Sequence, residues 1–136
     1  MLDQPVLYFA YGANMCRDAM QFRCPDAQSR GVFLLRNWGL QFYCHATIEP
    51  RSGSAVAGVL WELTPECEYS LDRFEGFPDY YTKRTWQQDG VWIMFYEMTS
   101  PKTGRPNPGY VDNIITSYHD WGLPLSRLQT ALNDFA

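Results

Sequence analysis

The sequence predicts an α+β fold, with a largely antiparallel sheet flanked by helices, on three observations. Strand-like segments outnumber helical ones. Several are paired across short turn signals as hairpins. The helical segments fall between them without the regular alternation of a parallel βαβ fold. A mixed or antiparallel sheet of this kind can close into a small barrel. At 136 residues the chain matches the commonest domain size, and a single domain over 1–136 is expected.

Taken in order, residues 6–11 (VLYFAY) read as a buried strand. Residues 15–23 read as a short helix with Asn14 as N-cap and Pro25 beyond its end. Residues 31–36 and 39–45 read as strands about a hairpin turn at "NWG", and "PRSGS" as a loop. Residues 55–63 are the next strand, with Gly58 as a candidate bulge. Thr64 is a good N-cap for the helix that follows, Pro65 takes its first position, and Gly76 closes it. Leu71 and Phe74 share a face of that helix and are core candidates, while Asp72 suits a surface pair with an arginine. Residues 81–87 and 91–98 form a hairpin turning at "QDG". The proline-rich stretch 100–109 is a surface loop. Residues 110–120 carry Val111, Ile114, Ile115 and Tyr118 at helical spacing, and "WGLP" stops them. Residues 124–135 make a last amphipathic helix through Leu125, Leu128, Leu132 and Phe135.

Composition excludes several function classes. The net charge is -4, and no basic run exceeds two residues, so nucleic acid is not an expected partner. No apolar stretch approaches membrane-spanning length, so no membrane partner is expected. The opening "MLDQP" lacks the basic start of a signal peptide, and a cytosolic protein is expected. Cys16, Cys24, Cys44 and Cys67 form no Cys-x-x-Cys pair, and His45 and His119 have no partner at metal-ligand spacing. Free, mostly buried thiols are expected. Cys44 and His45 are a poor nucleophile and base, because neighbours on a strand face opposite ways.

Two stretches can carry chemistry. In "YFAYGANM", Tyr8 to Met15, a strand runs through Gly12 into a helix start. Such a turn exposes backbone N–H groups that suit an anion, and glycine permits close approach. Alone, the stretch reads better as an ordinary strand-to-helix turn. In "LDRFEGFPDYY", Glu75 ends a helix between Phe74 and Phe77. The helix dipole and an aromatic pocket would both raise its pKa and poise it for proton transfer. From composition alone, a solvent-exposed glutamate is the better reading. Tyr80 and Tyr81 are adjacent, so one is expected to face inward and one outward.

The four stretches "YFAYGANM", "LWELTPE", "LDRFEGFPDYY" and "PGYVDNIITSYHDWGLP" follow one another in this order. In this combination the chain resembles the γ-glutamylcyclotransferase family, with its γ-glutamylamine cyclotransferase branch, from Leu7 to about Pro124. The resemblance implies a small β-barrel flanked by helices. It implies that Tyr11, Gly12, Ala13, Asn14 and Met15 form the turn whose backbone amides hold the substrate's α-carboxylate. It implies Glu75 as the catalytic residue, with Tyr81 and Tyr110 shaping or bonding the pocket, packing being an equal reading for both tyrosines. The family's usual serine is Ala13 here. If that serine's hydroxyl bonds the carboxylate, about 1 kcal/mol of affinity is lost.

The implied partner is a small γ-glutamyl substrate, and no cofactor or metal is expected. The reaction is attack of the substrate's α-amine on its own γ-carbonyl, which releases 5-oxoproline and an amine. Free γ-glutamyl amino acids, γ-glutamylamines and a non-catalytic relative that binds a carboxylate or a partner protein stand as the alternatives.

Overall fold

The computed structural model describes residues 6–100 and 104–133. Five strands form one sheet in the order β2-β3-β1-β5-β4: β1 Val6–Ala10, β2 Gln28–Phe42, β3 Ala46–Leu63, β4 Tyr81–Gln88 and β5 Val91–Met98. Every pairing is antiparallel except β1 with β5. The short apolar β1 is central, which is why Tyr8, Phe9 and Ala10 are buried. The helices are α1 Arg17–Arg23, α2 Pro65–Glu75, α3 Pro108–Trp121 and α4 Ser126–Asn133. The expected helix end at residues 134–135 lies outside the described residues, as do 101–103 of the proline-rich loop.

The α+β class holds, and the barrel closes by side chains. The free edges of β2 and β4 meet at Gln88. Its amide donates to the Leu34 carbonyl at 2.9 Å and accepts from the Arg36 N–H at 2.8 Å, standing in for a strand ladder. Trp38 and Trp86 meet edge to face across the same seam, 5.2 Å apart. The β4–β5 hairpin turns through Asp89 and Gly90, both at positive φ, as the sequence implies.

Elsewhere the elements differ from expectation. "NWG" is no hairpin turn. Asn37 takes φ 69° at a register shift, so β2 bulges and continues. Its side chain accepts from the Gly53 N–H at 3.2 Å and fastens the bulge to "PRSGS", which is strand and not loop. Pro50 is tolerated there because β1 pairs only with 59–63 of β3, so the first residues of β3 have a strand neighbour on one side alone. The true turn is at residues 43–45, so Cys44 and His45 sit on a reversal rather than a strand.

Gly58 is no bulge either. It pairs in register with Phe33, and a Cβ there would stand 2.4 Å from the Ala10 carbonyl and 2.7 Å from the Phe9 ring. Glycine is required by close packing. None of the four cysteines forms a disulfide among the described residues, and only Cys24 and Cys67 are buried.

α2 follows the sequence closely. Thr64 Oγ1 accepts from the Cys67 N–H at 3.1 Å, and Gly76 ends the helix at φ 67°. Leu71 is in the core as expected, but Phe74 is 46% exposed. Asp72 pairs with Lys83 at 3.0 Å rather than an arginine, and also accepts from the Tyr96 hydroxyl at 2.6 Å.

Candidate active site

The site begins where β1 stops. Tyr11 donates its hydroxyl proton to the Tyr96 carbonyl at 2.7 Å, which ties the strand end to β5. Residues Ala13–Met15 then form a single 3-10 turn, and α1 starts only at Arg17 with Cys16 as its cap. Asn14 is therefore not the N-cap the sequence suggests. Its side chain turns inward, donating to Tyr8 Oη at 3.1 Å and accepting from Arg23 at 2.9 Å. A capping side chain must stay free to face the helix, and this one is occupied. Two indole N–H groups fix the turn further. Trp61 donates to the Asn14 carbonyl at 3.0 Å and Trp121 to the Met15 carbonyl at 2.7 Å. A turn held from so many sides is pre-organised.

A cavity of about 260 Å³ opens beside this turn. It is lined by Gly12, Ala13 and Asn14 of the turn, by Glu75, and by Tyr11, Tyr81 and Tyr110. The structure thus gathers seven of the eight residues singled out in the sequence. Met15 does not reach the cavity. Its side chain is fully buried in the core and its N–H donates to the Gly12 carbonyl at 3.0 Å, so this amide is spent within the turn. The donors left at the turn are the early N–H groups that a helical start cannot satisfy internally. A Cβ on Gly12 would lie 3.5 Å from the Tyr110 hydroxyl, so the bare glycine leaves the approach to that hydroxyl open.

Glu75 ends α2, half-buried, and faces the same cavity. Among the described residues no hydrogen bond or ion pair reaches its carboxylate. Burial raises its pKa from 4.5 to about 7, while the positive charge of Arg23 pulls the other way. Arg23 is placed for this effect by Asn14 and by the Phe74 ring, whose centroid lies 3.7 Å from its guanidinium carbon.

The tyrosines divide by where their protons go. Tyr11 and Tyr81 donate to backbone carbonyls, Tyr81 to Ala46 at 2.5 Å, so they offer lone pairs to the cavity. Tyr110 instead accepts from the Ala46 N–H at 3.0 Å, and Tyr8 accepts from Asn14, so both keep a proton to give. Burial pushes the Tyr110 phenol up to about 12 and Tyr8 well above its usual value, so both stay protonated at neutral pH.

Sequence reasoning missed Tyr8, Tyr96, Tyr80, His45, Ala46 and Phe74 as lining residues. Tyr80 and Tyr81 both line the cavity, contrary to the alternation expected of them, because Tyr80 precedes the strand. The abundance of tyrosine was the one signal available for the others. No group of three or more His, Cys, Asp or Glu side chains that could hold a metal occurs among the described residues. No helix among them is long and apolar enough to cross a membrane.

An α+β barrel with a pre-organised turn and an unpaired, half-buried carboxylate in one cavity is the arrangement of a candidate small-molecule enzyme site. Residues 8–121 match the family described as gamma-glutamyl cyclotransferase, AIG2-like, and the chain belongs to that family of cyclotransferase-type enzymes. It is 31% identical to the Bos taurus gamma-glutamylcyclotransferase, over 93% of this chain and 77% of that one. It is 29% identical to the Homo sapiens gamma-glutamylcyclotransferase, over 90% and 75% of the two. A solved structure of a gamma-glutamyl cyclotransferase superposes with a TM-score of 0.82 at 27% identity, covering 94% of this chain and 86% of that one. An AIG2-like protein from Mus musculus, at 18% identity and a TM-score of 0.58, shares the fold.

Proposed function

We propose that this enzyme releases 5-oxoproline from γ-glutamyl compounds, with Glu75 as the proton carrier. The observation that carries this is the unpartnered Glu75 carboxylate, raised to about 7, in one cavity with the Gly12–Asn14 turn. The substrate's α-carboxylate is received by the open amides of the turn and the Tyr110 hydroxyl. Ionised Glu75 takes a proton from the α-ammonium. The freed amine attacks the γ-carbonyl carbon, a C–N bond forms, and the five-membered ring closes. Tyr8 supplies a hydrogen bond to the developing oxyanion. The amide C–N bond then breaks as Glu75 returns the proton to the departing amine, and the ring nitrogen's second proton passes by the same carboxylate to that amine, leaving the neutral lactam and an ammonium ion. The atoms balance without a co-reactant. Because both reacting groups belong to one molecule, the positioning required is to hold the glutamyl chain folded with its amine against its carbonyl.

Ala13 keeps the backbone N–H of the turn, so loss of the family's serine hydroxyl alters affinity and not the reaction. Glu75→Gln preserves shape but cannot accept a proton. Its expected outcome is a folded protein with 5-oxoproline release reduced by at least about a hundredfold. Turnover at the wild-type rate would refute the assignment.

A further inference from the structure

We propose that the mouth of the cavity is a subsite for an aromatic ring on the leaving amine, so that the preferred substrates are γ-glutamyl amides of ring-bearing amines. Tyr80 and His45 are the specificity-determining residues. This rests on the function proposed above.

The cavity is graded from floor to mouth. Tyr8, Tyr11, Tyr81 and Tyr96 are buried, whereas Tyr80 is half-buried and His45 and Phe74 are exposed. With the α-carboxylate at the turn and the γ-carbonyl at Glu75, as in the function proposed above, the leaving amine is assigned to that mouth. The rings there are already arranged as an edge-to-face series. Tyr80 meets Tyr81 at 5.1 Å and 80°, and His45 meets Tyr80 at 5.6 Å and Tyr110 at 5.2 Å, both at 86°. A hydrogen bond of 2.7 Å between Tyr80 Oη and His45 Nδ1 fixes the two rim rings to each other. Phe74 is held by the Arg23 guanidinium stacked on it. An incoming ring meets rigid faces and edges and orders nothing further.

Charge points the same way. Among the described residues no Lys or Arg lines the cavity, and Glu75 is the one carboxylate there. An anionic leaving group meets Glu75 and no cation among the lining residues, the Arg23 guanidinium lying behind the Phe74 ring.

The test compares two pairs of substrates that differ only in a ring: γ-L-glutamylbenzylamide with γ-L-glutamylethylamide, and γ-L-glutamyl-L-phenylalanine with γ-L-glutamyl-L-alanine. In both pairs the ring is expected to raise kcat/KM about tenfold, through KM. Tyr80→Leu and His45→Ala, checked for folding by circular dichroism, are expected to bring that ratio toward one. Equal kcat/KM within each pair, or a preference for the smaller group, overturns the proposal. So does a ring preference that survives in both variants. Absence of 5-oxoproline from all four substrates would instead refute the function on which the proposal rests.

Discussion

Glu75→Gln has a second consequence, in stability, that is independent of any substrate. A carboxylate whose folded pKa lies above its ordinary value is less easily ionised in the fold than in the unfolded chain. The folded state then holds the extra proton, and stability falls as pH rises between the two values. For Glu75 those values are 4.5 and about 7. At about 1.36 kcal/mol per pH unit, the full penalty is about 3.4 kcal/mol. By the same linkage it is about 0.8 kcal/mol at pH 5 and about 3.3 kcal/mol at pH 8. Glu75 as a residue is only half-buried, so with solvent screening about 2 kcal/mol is the expected gain for the glutamine at pH 8. For a chain of this length that raises Tm by roughly 6 °C. The assay is thermal unfolding of both proteins at pH 5 and pH 8. The variant is expected to match the wild type within about 1 kcal/mol at pH 5 and to exceed it clearly at pH 8. A Tm gain that is equal at both values, or reversed at pH 8, would refute a raised Glu75 pKa.

Arg23→Gln removes the charge that holds Glu75 down, so the acid limb of the kcat/KM profile is expected to move above pH 7, and an unmoved limb would mean that Arg23 serves only to hold Asn14 and Phe74 in place. Ala13→Ser is expected to keep or improve KM with kcat little changed, because the Ala13 side chain borders open cavity; steady-state kinetics showing a large loss would place the turn differently. Gly58→Ala drives a methyl into the Ala10 carbonyl and the Phe9 ring, and a loss of about 3 kcal/mol is expected in denaturant unfolding.

Much of the fold was legible because its signals are local. Thr64, Pro65 and Gly76 set the ends of α2 by capping alone, and Asp89-Gly90 could turn only one way. The errors came where a distant partner decides. Nothing near Asn37 announces that Gly53 will hold it in a bulge, so "NWG" looks like a turn. Nothing near Asn14 announces that Arg23 and Tyr8 will occupy its side chain. Tyr96 joins the site only because β5 pairs parallel to β1, a pairing between segments more than eighty residues apart that leaves no periodic trace.

That Glu75 meets the Gly12 turn follows from lengths, and so from the sequence, once one register is known. Val6, at the start of β1, pairs with Leu63, at the end of β3. α2 begins two residues later, level with the start of β1. β1 has five residues and spans about 16 Å at about 3.3 Å each. α2 has eleven and spans about 16 Å at about 1.5 Å each. A helix that runs back alongside the strand therefore ends level with the strand's end, where the turn begins. Gly76 must stop the helix there, and its φ of 67° does so. One more turn of helix would carry a glutamate about 5 Å beyond the amides of the turn. One turn fewer would leave it beside the core, where ionisation near pH 7 could not occur. The cap that reads in sequence as mere punctuation is thus what sets the distance between the Glu75 carboxylate and the Gly12 turn.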